Sequence, residues 1–143
     1  MKQELQLPCI NRYGEVVMSL LEETVTLSGN KGTATVRALF DSGASCSVIR
    51  RSVAEKIAIL DPLDEPMEFE LADENVFISA EYVIHLSFYF QDTNRRFTDE
   101  FIVLDTLSED LIVGANTMQS WKIRLDFDKE EIVYDRKMHK MRL

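Results

Sequence analysis

Residues 38–49 read ALFDSGASCSVI. Asp41 and Gly43 stand between two apolar runs of strand character, VRALF before them and SVI after. A surface turn does not need buried flanks on both sides, so this Asp-Ser-Gly is more than an ordinary turn signal. A carboxylate at the end of a buried strand is costly to desolvate unless hydrogen bonds or a shared proton compensate it, and groups in such settings tend to have shifted pKa values. Asp41 is therefore the first candidate functional residue. Gly43 lets the backbone turn tightly and lets another chain come close, and Ser42 offers a hydroxyl for a hydrogen bond between loops.

Outward from this stretch, turn signals fall at short intervals between β-branched and aromatic runs, which predicts a mostly β fold. EETVTL and TATVRALF flank the two-glycine loop SGNKG, a hairpin that delivers the chain to Asp41. SVIRRSVAEKIAI has apolar spacing near the helical period and predicts a short helix ending before LDPLDEP. MEFELADENVFISA reads as two strands joined at ADEN, and EYVIHLSFYFQDTNRRFTDEFIVL as two longer ones joined at QDTNRR. Alternation puts Ile84, Leu86, Phe88 and Phe90 on one face and His85, Ser87 and Tyr89 on the other, so His85 is expected at solvent or a sheet edge. Downstream, LIV is stopped by Gly114, ANTMQSW has room for about two helical turns, and KIRLDF resumes the strand period. Trp121 is expected in the core or over it. The acidic stretch LDPLDEPMEFELADE reads as a solvated loop and strand edge without calcium-loop spacing, and no metal site is expected.

The 143 residues amount to one domain, with 45% hydrophobic and 29% charged residues, an ordinary globular balance. No segment is long and apolar enough to cross a bilayer, and the first residues have no continuous apolar core of a secretory signal. Two cysteines, Cys9 and Cys46, make no disulfide framework, which suits a reducing compartment; a cytoplasmic protein with no membrane contact is expected. A net charge of −9 argues against nucleic acid as a partner. The basic tail RKMHKMRL reads as a solvated terminus, and His139 within it supports nothing by itself.

LFDSGASCSVI followed by LIVGANTMQSWKIRLDF resembles the retropepsin-like (retroviral-type) aspartic proteases, across about residues 20–135. The likeness is closer to cellular or bacterial members than to viral ones, because the chain extends at both ends. It implies a closed β-barrel half-molecule with one or two short helices that acts as a homodimer. The corresponding division is an N-terminal extension or edge strand at 1–19, the protease domain at 20–135 and the basic tail at 136–143. By the same resemblance Asp41 is the catalytic carboxylate, and Ser42, Gly43 and Ala44 support its loop, with the Ser42 hydroxyl locking two catalytic loops together. Gly43, Ser45 and Cys46 would contact substrate, as would the flap tip Ala72, Asp73, Glu74 and Asn75. Ile112, Val113 and Gly114 would form the strand beside the catalytic loop, and Asn116 stands where the helix begins with a polar residue.

The chemistry of this family needs two carboxylates sharing one proton. A two-lobed chain would carry a second triad, but Asp105-Thr106-Leu107 lacks the glycine. The second carboxylate is thus expected from a symmetry mate. The expected activity is that of an aspartic endopeptidase acting on a peptide or protein substrate without a cofactor. The alternative is a retropepsin-fold module, weakly active or inactive, that dimerises or binds peptides. Two departures bear on this choice: the flap tip ADEN has no glycine, and Ser45 and Ala115 replace an acidic residue and an arginine that tie many viral dimers.

Overall fold

The computed structural model describes residues 9–10, 16–17, 20–71 and 76–136. Two short strands, β1 (Cys9–Ile10) and β2 (Val16–Val17), pair as a separate ribbon. There follow β3 (Leu20–Ser28), β4 (Thr33–Asp41), β5 (Val48–Arg50), α1 (Arg51–Ile57), β6 (Asp61–Leu71), β7 (Val76–Phe90) and β8 (Arg96–Leu104). The last elements among the described residues are β9 (Leu111–Val113), α2 (Ala115–Trp121), β10 (Arg124–Asp126) and β11 (Glu131–Val133). The main sheet has the order β3-β4-β9-β5-β8-β7-β6, and an added β3–β7 pairing closes its first six strands into a barrel. β6 hangs outside the ring, paired with β7 alone among the described strands.

The apolar runs look continuous in the sequence because the barrel strands are buried on both faces. Ala38, Phe40, Ile49, Phe101, Val103, Leu111 and Val113 point into the barrel core. Their neighbours Leu39, Val48, Ile102, Leu104 and Ile112 point the other way, into a second apolar cluster completed by Ala80, Val83 and Leu107. Inside the barrel the Phe88 ring stacks on Phe97 at 5.1 Å and meets Phe40, Phe90 and Phe101 edge-on. Offset and edge-on ring pairs of this kind add to the area they bury.

The β3–β4 turn also caps a helix. Lys31 N and Gly32 N donate to the carbonyl of Ile57 at 2.8 and 3.2 Å, satisfying an orphan acceptor at the end of α1. A Cβ on Gly29 would lie 2.3 Å from that same oxygen, so the turn fits only because this residue has no side chain. At the C-terminal end, Tyr134 stacks on Phe90 at 4.3 Å and Arg95, itself buried, donates to the Asp135 carbonyl at 3.1 Å. Arg136 pairs with Asp92 at 3.0 Å, and its guanidinium holds the Asp92 carboxyl below the usual range. The last described residues are therefore bound to their own barrel.

The hairpin leading to Asp41, the two-turn helix after Gly114 and the exposure of His85 are as expected. Ser87, on the same face as His85, is buried, and its hydroxyl meets Thr98 Oγ1 at 3.2 Å and accepts from Arg96 Nε at 2.8 Å. The helix expected from residue 47 onward begins only at Arg51, because Val48–Arg50 pairs with both β8 and β9. LDPLDEP is not a loop. From Asp61 it pairs with Val83, and a register shift between Pro62 and Met67 absorbs the irregularity; the prolines are tolerated because the strand is at an edge. Residues 76–90 form one strand where two were expected, since β7 exchanges β6 for β8 as a partner along its length. The extension 1–19 is described only at β1 and β2; the flap tip 72–75 and the tail 137–143 lie outside the described residues. The two helices have seven residues each, and among the described residues no helix is long and apolar enough to cross a membrane.

Phe88→Ala is expected to lower the unfolding free energy by about 3–5 kcal/mol. Phe77→Ser, at a side chain 62% exposed on β7, should change it by less than about 0.5 kcal/mol. Urea denaturation of both variants measures the contrast.

Candidate active site

Asp41 is the last residue of β4 and faces Leu20 in the β3–β4 register. The residue is fully buried, while Ser42 and Gly43 beyond it are exposed. Gly43 N donates to Asp41 Oδ1 at 2.8 Å, and Ala44 N donates to the Asp41 carbonyl at 3.2 Å. Both bonds fold the chain back over the aspartate. Hydrogen bonds to an ionised carboxylate offset part of its desolvation cost, so a buried Asp41 is physically consistent with this turn.

β9 lies between the strand that enters the loop and the strand that leaves it. Leu39 pairs with Ile112 in parallel, and Val48 pairs with the same Ile112 antiparallel. Ile112 and Val113 are buried, and after them Gly114 is the cap residue of α2. No side chain caps this helix through a hydrogen bond at Gly114. The Asp41 loop does so instead: Ala115 N donates to the Ala44 carbonyl at 2.7 Å and Asn116 N to the Ser45 carbonyl at 3.3 Å. The next donor, Thr117 N, is taken by Asn116 Oδ1 at 2.8 Å. The first turn of α2 thus finds its acceptors in the Asp41 loop and in Asn116, which is the second residue of the helix.

The approach is close enough to dictate the residue at 114. A Cβ there would lie 2.5 Å from the Cys46 carbonyl oxygen and 2.9 Å from that of Ala44. Both contacts are with backbone atoms, which have no side-chain freedom to yield.

The candidate loop residues Ser42, Gly43, Ala44, Ser45 and Cys46 therefore form one continuous surface, with Ala44 and Cys46 half-buried and the others exposed. Cys46 is a free thiol and packs, with Ala44, against the second apolar cluster. Phe69 and Ile78 of the β6–β7 arm pack against the same cluster. The arm that leads to residues 72–75 is thereby anchored on the strands flanking the loop.

Two residues of this site were not singled out in the sequence. Ser47 and Thr117 are buried, their hydroxyl oxygens lie 2.5 Å apart, and Ser47 Oγ accepts from Gly114 N at 2.9 Å. Their signal in the sequence is faint: a serine next to a buried valine and a threonine on the inner face of a short helix. Among the described residues no cluster of three or more histidines, cysteines or carboxylates is arranged to hold a metal ion.

Gly114→Ala is expected to destabilise the chain by about 2–3 kcal/mol through forced separation of two backbone segments. Thermal unfolding monitored by circular dichroism reads this loss. An unchanged midpoint would show that the loop and α2 can separate without strain.

The comparisons with known proteins agree with this geometry. A family model described as aspartyl protease matches residues 24–117, a span that contains both Asp41 and β9 with Gly114 after it. No curated relative matches the sequence. Among solved structures, the crystal structure of the retroviral protease-like domain of Ddi1 from Leishmania major is similar with a TM-score of 0.62 at 18% identity. The match covers 85% of this chain and 92% of that one, and at this identity it speaks for the fold. With its Asp-Ser-Gly loop, its closed six-strand barrel and a matched span of about two-thirds of its length, the chain belongs to the aspartyl protease family in its retropepsin-like form.

Proposed function

We propose that the chain is an aspartic endopeptidase whose active site is completed when two copies bring their Asp41 residues together on a two-fold axis. The observation that carries this reading is the setting of Asp41: a buried carboxylate at a loop held by β9 and α2, present once per chain. Asp105, the nearest sequence match to a second triad, is exposed in a turn and paired with Arg51 at 3.2 Å, far from such a role. The partner then supplies the second carboxylate through an isologous interface. Ser42 and Gly43 are exposed at the loop surface, which supports their meeting that partner and the substrate backbone.

In the dimer one Asp41 is ionised and the other protonated. The ionised carboxylate takes a proton from a water as its oxygen adds to the scissile carbonyl carbon, and the protonated carboxyl gives its proton to the carbonyl oxygen. The resulting diol collapses with breakage of the C–N bond. The amine leaves with a proton from the dyad, and a second proton returns to it from the diol. An extended peptide is held between the Asp41 loops and the β6–β7 arms, and the reaction requires no cofactor. The free thiol of Cys46 is compatible with a reducing compartment, and we place the protein in the cytoplasm.

Asp41→Asn should reduce cleavage of a peptide library by about a thousandfold, the scale of a lost acid–base group. Fold and dimer should persist in circular dichroism and sedimentation. Cleavage should also fall as the pH rises and both carboxylates ionise, because no proton then remains to share. A statine-type transition-state analogue should bind the wild-type chain and not the variant. Undiminished cleavage by Asp41→Asn, or a strict monomer at high concentration, would refute the assignment. A dimer that binds peptide without turnover would instead identify a peptide-binding module.

A further inference from the structure

We infer that Ser47 and Thr117 are positioning residues for Asp41, joined in a hydroxyl relay that fixes the catalytic loop against β9 and α2. The inference rests on the reading of Asp41 as the catalytic carboxylate, and it adds residues that the Asp-Ser-Gly motif does not contain. The loop is tied to residues 114–116 at three described points. Two are backbone bonds, to the carbonyls of Ala44 and Ser45. The third is made by a side chain, through Ser47 Oγ, which accepts from Gly114 N at 2.9 Å.

Donor accounting gives the relay its direction. Ser47 Oγ and Thr117 Oγ1 are 2.5 Å apart, and either could donate. If Thr117 donated, the Ser47 hydrogen would have no described acceptor in a residue that is 1% exposed. If Ser47 donates, the Thr117 hydroxyl is free to reach Asn116 Oδ1, 3.5 Å away. That arrangement satisfies every hydrogen in turn: Gly114 N–H to Ser47, Ser47 O–H to Thr117, Thr117 O–H to Asn116. It also gives Asn116 a purpose, since the same Oδ1 accepts from Thr117 N at 2.8 Å.

The relay acts on Asp41 through the loop. Ser47 closes the loop that Asp41 opens, and its own carbonyl accepts from Ile102 N at 3.1 Å, so it is held to β8 as well. With both loop ends fixed, the turn that brings Gly43 N to Asp41 Oδ1 has little freedom. Burial makes the arrangement costly to disturb, because an unmatched hydroxyl or amide inside the protein cannot turn to water. Residues 47 and 117 serve orientation rather than volume, which an alanine and a valine could supply.

The test uses the full chain with Thr117→Val, which removes the hydroxyl at nearly constant volume, Thr117→Ser, which keeps it, and Ser47→Ala. Amide hydrogen exchange is followed at Gly43 and Ala44, whose N–H groups bond to Asp41, and at Ile84 and Phe101 within the barrel. Thr117→Val should speed exchange at Gly43 and Ala44 by about tenfold, the equivalent of one lost hydrogen bond, and leave Ile84 and Phe101 unchanged. Thr117→Ser should restore the slow exchange. On a peptide library, kcat should drop about tenfold in Thr117→Val with KM unchanged, as for an interaction that orients the reacting group, and recover in Thr117→Ser. Ser47→Ala should show the same pattern if it folds, and the two Thr117 variants decide the matter if it does not. Faster exchange spread evenly over the barrel, or none at Gly43 and Ala44, would overturn the inference. If the variants show this exchange pattern and the wild-type chain cleaves nothing, the peptidase reading alone fails, since the exchange measurement does not depend on turnover.

Discussion

The backbone of Gly114 touches the backbone of the Asp41 loop, and most of the site depends on that contact. Ordinary side chains would keep the two segments apart. Without a Cβ the helix that follows can use the loop carbonyls as its cap, and the loop can use the helix amides as its fixed points. Each partly irregular segment satisfies polar groups that the other would leave buried and unmatched. This reciprocity lets a seven-residue helix and a three-residue strand hold a loop in place, although neither element would be stable alone.

The barrel supplies the frame for this junction. Its strands carry one apolar set inward and another outward, so the two clusters meet across single strands such as Leu39 between Ala38 and Phe40. The inner set closes the barrel around the phenylalanine rings. The outer set forms the ground on which the β6–β7 arm and the half-buried loop residues Ala44 and Cys46 rest together. Fold stability and the placing of the loop therefore draw on the same strands.

What the sequence disclosed was mostly local. Asp-Ser-Gly between apolar runs, the hairpin before it and an apolar run ended by glycine before a short helix are patterns of neighbouring residues, and the structure has them where they were expected. The first half of β6 was hidden because Pro62, Pro66 and the acidic residues around them favour loops, and only pairing with β7 makes a strand there, whereas MEFEL was read as a strand. The same pairing joins residues 76–90 into one element. Ser47 and Thr117 were hidden for a different reason: they are 70 residues apart, and a small hydroxyl residue carries no periodic signal of what it will meet.

The long strand β7 has a mechanical meaning. Its 15 residues extend for roughly 50 Å, the later part built into the barrel wall against β8 and β3, the earlier part carried outward with β6. It is a beam held at two places, in the barrel wall at one end and on the second apolar cluster through Ile78, and no loop interrupts it where the arm leaves the barrel. The irregular register between Pro62 and Met67, opposite residues 80–82, is the compliant point along this beam. Any twist of this two-stranded ribbon is accordingly resisted by the second apolar cluster, which holds it through Phe69 and Ile78.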